Sequence, residues 1–184
     1  MTKHLNLILT SLGIVIHQIL VAQITMGTIN NSQSAVNGYM LLAPNSVSDV
    51  YLLDNCGYEV KKWVTSSRPG LSTYLLEDGT LLRTGRKNNP IFNQGGVGGV
   101  IEHYDWDNNL IWTYLFSDST KTQHHDIEML PNGNVLILAT ERIDQTECLQ
   151  NGRDPNKLVD GELWPEMIIE VEPIGLDSGR IVWE

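Results

Sequence analysis

Two adjacent histidines followed by an aspartate are the side chains in this sequence best suited to chemistry. His124, His125 and Asp126 open a segment that continues through the turn at 130–134 into an apolar strand at 135–139. An imidazole can exchange a proton near neutral pH or attack an electrophile, and a neighbouring carboxylate can fix its tautomer and raise its basicity. The same residues also permit a purely structural His–Asp hydrogen bond between strands, and residue types alone do not choose between these two interpretations.

The elements that must position these residues are strands. Short apolar runs alternate with Gly, Asn, Asp and Pro, and the dipeptides at 78–79 and 132–133 are Asp-Gly and Asn-Gly, which favour two-residue hairpins. A strand, a polar turn and a strand ending on tryptophan occur at 50–63 and again at 101–112, and a third copy begins at 170–183. A repeat of about 50 residues with about four strands is typical of a β-propeller blade.

The sequence therefore predicts an all-β chain, namely a partial β-propeller of about two blades and the start of a third. In that arrangement the three repeated tryptophans are expected to be core aromatics at one fixed position of each blade. They are Trp63, Trp112 and Trp183.

The repeat also provides an internal comparison for the His-His-Asp segment. The stretch 76–82 matches 130–136, an offset of 54 residues (130 − 76). At that offset, 124–126 falls on 70–72, where the residues are Gly, Leu and Ser. The scaffold position therefore does not require imidazoles or a carboxylate.

Strand geometry limits how the two rings can be used. Side chains of successive strand residues point to opposite faces, so His124 and His125 share a pocket only if the strand is bulged or they precede it. We expect one ring to face the central channel of the propeller and the other to bond a neighbouring blade. Asp126 is expected to orient one of the rings by accepting its N–H.

The N-terminus predicts export. A weakly basic start, an apolar run and small residues before Gln23 describe a signal peptide over residues 1–22, too polar to be a comfortable membrane anchor. An extended lead-in at 23–37 precedes the propeller domain at 38–184, which carries a polar insertion at 142–165. The mature protein is expected to be periplasmic, on the cell surface or secreted, with no membrane span after cleavage.

Charge and composition exclude several classes of function. With 12 Lys+Arg against 22 Asp+Glu the net charge is −10, which argues against nucleic acid as a partner. An anionic substrate would need a locally positive pocket. Export permits a bridge between the two cysteines, Cys56 and Cys148, but two cysteines make no disulfide framework. No spacing of metal ligands and no phosphate-binding loop is present, so we expect neither a metal nor a cofactor.

With the repeat and the His-His-Asp segment in hand, the chain resembles the bacterial arylsulfotransferase (aryl-sulfate sulfotransferase) family over residues 38–184. The segments that carry the resemblance are 51–57, 124–127 leading into 130–134, 152–155, 161–171 and 181–184.

The resemblance implies a six-bladed propeller that transfers a sulfuryl group from an aryl sulfate to a phenol through a sulfo-histidine, without a nucleotide donor. His125, or else His124, looks like a funnel histidine that stabilises the sulfuryl oxygens, with Asp126 as a second substrate contact and Arg153 as an oxyanion contact. The nucleophilic histidine is expected in a later blade, so the chain looks like the N-terminal part of a longer enzyme. Either a longer chain or a second copy, in a homo-oligomer, would supply the remaining blades.

Two alternatives remain open at this point. One is a non-catalytic exported propeller that binds a protein or glycan partner, which the acidic surface favours. The other is an inactive fragment.

Overall fold

The computed structural model describes residues 27–93, 95–96 and 98–184. The expected signal peptide and the first residues of the lead-in lie outside this part of the chain. The prediction of an all-β protein is confirmed, because the described residues form three antiparallel sheets. The strands are β1 (Tyr39–Leu42), β2 (Val50–Asp54), β3 (Glu59–Trp63), β4 (Pro69–Leu75), β5 (Leu81–Arg86), β6 (Gly99–Tyr104), β7 (Leu110–Leu115), β8 (Lys121–Met129), β9 (Val135–Glu141), β10 (Glu166–Ile174) and β11 (Ser178–Trp183).

Each sheet is an up-and-down meander of consecutive strands. The orders are β1-β2-β3, β4-β5-β6-β7 and β8-β9-β10-β11. Two of the hairpins contain the predicted dipeptides, but their loops have three residues instead of the predicted two, because the Leu76 and Leu130 N–H groups donate to the Thr80 and Asn134 carbonyls. Of each dipeptide only the glycine takes a positive φ, 83° at Gly79 and 85° at Gly133. Glycine occupies these left-handed positions without the Cβ clash that other residues suffer, so the sequence fixes these turns locally.

By their contacts the residues group into two compact units. The smaller consists of the described part of Met1–Met40 with Leu52–Lys61. Within it, the Asp54 carboxylate accepts the backbone N–H groups of Cys56 and Tyr58 at 2.8 and 2.9 Å, which closes the turn between β2 and β3. The larger unit, Leu41–Tyr51 with Lys62–Glu184, contains every residue of the His-His-Asp segment.

The core of the larger unit is built from the two four-stranded sheets. Alternating strand residues of both sheets turn their apolar side chains toward each other, as the period-2 pattern requires. Replacing one of these side chains with alanine typically costs about 2–5 kcal/mol. The buried cluster comprises Leu82, Ile101 and Trp112 from one sheet and Ile127, Val135, Ile137, Ile169 and Val171 from the other.

The repeat extends to the backbone. The pairing of β4 with β5 shifts register between Pro69 and Thr73, and the pairing of β8 with β9 shifts between Gln123 and Ile127. The two bulges are 54 residues apart (123 − 69), which is the offset found in the sequence. Each holds one residue in the left-handed region, where φ is 88° in the first bulge and 57° at His125 in the second. The bulge therefore belongs to the scaffold.

The first two repeated tryptophans also play one structural role. Trp63 donates its Nε1–H to the Asp105 carbonyl at 3.0 Å, and Trp112 donates to the Ser178 carbonyl at 2.8 Å. Each bond reaches from the last strand of one sheet to the β-hairpin that ends the next. Both indoles are buried, as expected of core aromatics, whereas Trp183 is 57% exposed. The prediction of a buried core position is therefore wrong for Trp183 among the described residues.

The segment 142–165 connects β9 to β10 and has little regular structure. It contains a short helix, α1 (Gln145–Gln150), and a 3-10 turn at Pro155–Lys157. Asp144 caps α1 by accepting the Glu147 N–H, which satisfies a backbone donor that a helix start leaves unpaired. Cys148 on this helix is buried and Cys56 is exposed, and both are free thiols.

Candidate functional site

The bulge in β8 sets the positions of His124, His125 and Asp126. Strict alternation would send neighbouring side chains to opposite faces, but the left-handed conformation at His125 breaks that alternation. The two imidazole rings consequently lie beside each other, with centroids 4.3 Å apart and planes inclined by 59°.

His124 is the anchored ring of the pair. It is 9% exposed, and its Nε2 lies 2.9 Å from the Gly95 carbonyl, to which it donates. Its Nδ1 lies 2.7 Å from a carboxylate oxygen of Glu166, although the approach is off the line of a well-formed N–H hydrogen bond. Since both nitrogens face protein oxygens, His124 holds the loop before β6 and the start of β10 against β8.

His125 is the accessible ring. Its side chain is exposed, and among the residues that the structure describes no partner accepts from or donates to either ring nitrogen. Its backbone N–H donates to the Gly96 carbonyl at 2.8 Å. The ring lies so close to Gly96 that a Cβ on that glycine would come within 2.2 Å of Nε2. His125 is thus held with the Nε2 edge of its ring against Gly96, while the side chain as a whole stays exposed.

Asp126 is held as a carboxylate by donors from the neighbouring sheet. Burial disfavours its charged form, but hydrogen bonds from Tyr74 at 2.6 Å, Ser72 at 2.8 Å and the Ile127 N–H at 2.9 Å outweigh that effect and lower the pKa of Asp126. The bond to Asp126 in turn raises the pKa of the Tyr74 hydroxyl. The charge of His125 also favours the carboxylate.

The role of Asp126 differs from the one expected from the sequence. In the part of the chain that the structure describes, neither imidazole donates to it, and Glu166 approaches His124 instead. Ser72 divides its hydroxyl between Asp126 and the His125 carbonyl, at 2.8 and 2.9 Å. Asp126 therefore joins β8 to β4 and places a fixed negative charge beside His125.

The glycine segment before β6 packs against this site. Gly98 N–H donates to the Gln123 carbonyl at 3.2 Å, and Gly99 N–H donates to Gln123 Oε1 at 3.0 Å. A Cβ at Gly98 would lie 1.8 Å from that amide oxygen, so only glycine allows the approach. The segment is a closely packed wall of the site rather than a phosphate-binding loop.

A shallow groove of about 260 Å³ runs from Asp126 across the face of the last sheet that points away from the core. Its walls are mainly apolar and carry two carboxylates at one end. Its lining residues are Asp126, Ile127, Glu128, Leu136, Leu138 and Ile168.

Arg153 is not brought to the histidines. It follows α1, where its backbone N–H donates to the Cys148 carbonyl at 2.9 Å, and its side chain is exposed. No hydrogen bond or ion pair among the described residues joins it to His124, His125 or Asp126.

Sequence reasoning missed the partners that separate the two histidines. Gly95 and Glu166 come from segments far away in sequence, and nothing local marks them. Ser72 could have been found, because it occupies the same repeat position as Asp126, 54 residues earlier. At this point the equivalent residues of the two four-stranded sheets, Ser72 and Asp126, are joined by a hydrogen bond.

Three further findings bear on function. No group of three or more His, Cys, Asp or Glu side chains suited to a metal ion occurs among the described residues. No helix in the described ranges is long and apolar enough to cross a membrane. Comparison with models of known protein families, with curated proteins and with solved structures found no match.

Proposed function

We propose that the chain is part of an exported β-propeller that transfers a sulfuryl group from an aryl sulfate to a phenolic acceptor. The observation that carries this proposal is His125, an exposed imidazole whose nitrogens have no hydrogen-bond partner among the described residues. It lies on a rigid bulge beside a fixed carboxylate, at a position where the other repeat has leucine. The equivalent position of the other repeat, Leu71, forms the same bulge without an imidazole. Packing therefore does not require the His125 ring, and binding or catalysis is the better explanation for it.

The role proposed for His125 is to donate a hydrogen bond to a sulfuryl oxygen. An imidazole N–H can donate to a sulfuryl oxygen, and such a hydrogen bond to a charged oxyanion is stronger than one between neutral groups. His124 positions the bulge through Gly95 and does not touch the substrate. Arg153 remains a candidate oxyanion contact on the basis of the sequence resemblance alone.

The reaction has two steps, with the nucleophile contributed by a histidine outside this chain. In the first, the nucleophilic nitrogen forms an N–S bond while the S–O bond to the donor aryl group breaks, and the donor phenolate leaves. In the second, the acceptor phenol forms an S–O bond, the N–S bond breaks, and the acceptor proton is lost to a base. The groove beside Asp126 has apolar walls suited to an aromatic ring.

The propeller architecture is supported by a difference in burial between equivalent positions of successive repeats. Leu82 is fully buried against the last sheet, whereas Leu136, at the same position one repeat later, lines the open groove. Trp183 is exposed where Trp63 and Trp112 are buried. A further four-stranded sheet on this face would repeat the packing already made between the two sheets present.

The test is sulfuryl transfer by the complete protein, with 4-nitrophenyl sulfate as donor and phenol as acceptor. We expect His125→Ala to lower kcat/KM at least tenfold, and mass spectrometry to detect a sulfo-histidine during turnover. Unchanged turnover in His125→Ala would remove His125 from the site. Absence of transfer and of any sulfo-histidine would instead favour the alternative of a non-catalytic propeller that binds a protein or glycan.

A further inference from the structure

A second group of side chains suited to ligand binding, which includes none of His124, His125 and Asp126, lies between the end of β3 and the start of β4 on one side and the end of β5 on the other. These segments border an open cavity of about 780 Å³. That volume is within the range of roughly 300–1,000 Å³ found for ligand pockets. The lining residues are Ser66, Ser67, Arg68, Arg86, Lys87 and Asn88.

The lining is cationic in an otherwise acidic chain. Arg68, Arg86 and Lys87 are three of only 12 Lys+Arg residues in a sequence with net charge −10. All three are exposed, and among the described residues none of their side chains forms an ion pair or a hydrogen bond. Some other surface cations are paired with a carboxylate, for example Arg180 with Glu172. Three unpaired cations around one cavity therefore leave a positive charge that no side chain in the described part of the protein pairs with.

The carboxylate behind the cavity does not cancel this charge. Glu102 is 2% exposed and pairs with the fully buried Arg83, whose NH1 lies 2.6 Å from Oε2. Its other oxygen accepts the Ser66 and Ser67 hydroxyls at 2.6 and 2.7 Å. The buried pair is neutral overall, so the field in the cavity is set by the three surface cations.

The same contacts make the cavity a rigid structure. Arg83 NH2 donates to the Ser67 carbonyl at 3.0 Å, and the Arg86 N–H donates to the Arg68 carbonyl at 2.7 Å. Gly85 allows this approach, since a Cβ there would lie 2.5 Å from the Ser67 Cβ. The two segments that carry the cations are thereby locked together before any ligand arrives.

We propose that this cavity binds an oxyanion group, a sulfate or phosphate ester, at a site separate from His125. Guanidinium groups match the oxygens of such esters with paired hydrogen bonds, and a lysine adds a compact charge. The Ser66 and Ser67 hydroxyls donate to Glu102 and are unavailable as donors, so the contacts come from Arg68, Arg86, Lys87 and the Asn88 amide. The inference does not depend on sulfuryl transfer.

The test is calorimetric titration of the protein with inorganic sulfate, inorganic phosphate and a sulfated tetrasaccharide. The double variant Arg86→Gln/Lys87→Gln is expected to weaken saturable binding at least tenfold. The control Lys157→Gln/Arg180→Gln, which removes the same two charges elsewhere, is expected to change it less than twofold. Binding of the inorganic ions would assign a small ester, and binding of the tetrasaccharide alone would assign an extended ligand.

Three results would overturn the proposal. They are no saturable binding of any probe, equal losses in both double variants, or loss of binding in His125→Ala. The first would mean that the cations bind nothing, the second that only the net charge matters, and the third that the anion occupies the histidine site.

Discussion

The two histidines differ in structural role, and the same substitution at each should separate those roles. His124→Ala removes a buried ring, a hydrogen bond to the Gly95 carbonyl and the contact with Glu166. His125→Ala removes an exposed ring whose nitrogens have no partner among the described residues. It keeps a Cβ, so a non-glycine residue occupies the left-handed conformation at φ 57° both before and after the change.

The expected magnitudes follow from these contacts. For His124→Ala, lost packing contributes about 1–2 kcal/mol, and the hydrogen bond contributes about 0.5–1.5 kcal/mol, since Gly95 is exposed and water can replace the donor. The half-exposed contact with Glu166 adds about 0–1 kcal/mol. The sum is about 1.5–4.5 kcal/mol, whereas His125→Ala should cost about 0.5 kcal/mol or less.

The assay is urea unfolding followed by tryptophan fluorescence at neutral pH, with thermal unfolding as a second readout. For a chain of this size, about 3 kcal/mol corresponds to a fall in Tm of roughly 6–12 °C. Equal losses of stability in the two variants, or a larger loss for His125→Ala, would refute the division into an anchoring ring and an accessible ring.

Three further predictions concern the elements around these rings. Tyr74→Phe should raise the pKa of Asp126 toward the ordinary aspartate value, because it removes a donor to the carboxylate, and NMR titration measures this directly. Because the folded pKa of Asp126 is depressed, its stabilising contribution is present above about pH 4 and is lost as pH falls through the folded pKa. Gly98→Ala should destabilise strongly, whereas Gly95→Ala, with open space around its Cβ, should be nearly neutral in urea unfolding. Leu71→Gly should stabilise by about 0.5–1 kcal/mol, because φ is 88° and glycine avoids a left-handed penalty of about 1–2 kcal/mol.

Matched controls make these three outcomes decisive. Tyr39→Phe, at an exposed tyrosine, should leave the Asp126 titration unchanged. Leu110→Gly removes a side chain 44% exposed, against 46% for Leu71, but at an ordinary strand φ, and should destabilise by about 0.5–1 kcal/mol. We expect Leu71→Gly to raise the free energy of unfolding and Leu110→Gly to lower it. Destabilisation by both substitutions would contradict a bulge shared by the two repeats.

The strands and the offset of 54 residues were predictable because they depend on local patterns. Turn dipeptides such as the one ending at Gly133 fix hairpins, and alternating apolar residues such as Ile127 fix the buried face. The bulge itself was not predictable, because leucine disfavours positive φ and histidine, although enriched there, adopts it only in a minority of cases. It is imposed by pairing with the next strand.

The division of roles within the site depends on contacts that no local pattern encodes. His124 is anchored by Gly95, 29 residues earlier, and by Glu166, 42 residues later (166 − 124). Asp126 was expected to orient a ring, but its carboxylate accepts a hydrogen bond from the Tyr74 hydroxyl on β4 instead. The sequence around Tyr74 does not indicate this contact. Only the contact with Ser72 follows from the repeat.

The most direct test of the central claim is equilibrium binding of 4-nitrophenyl sulfate to wild type, His125→Ala and Arg86→Gln/Lys87→Gln. If His125 donates to the sulfuryl oxygens, His125→Ala should weaken binding at least tenfold while its unfolding curve stays within about 0.5 kcal/mol of wild type. Equal affinity in wild type and His125→Ala, or a loss confined to the arginine–lysine variant, would contradict the assignment of His125 to the sulfuryl site.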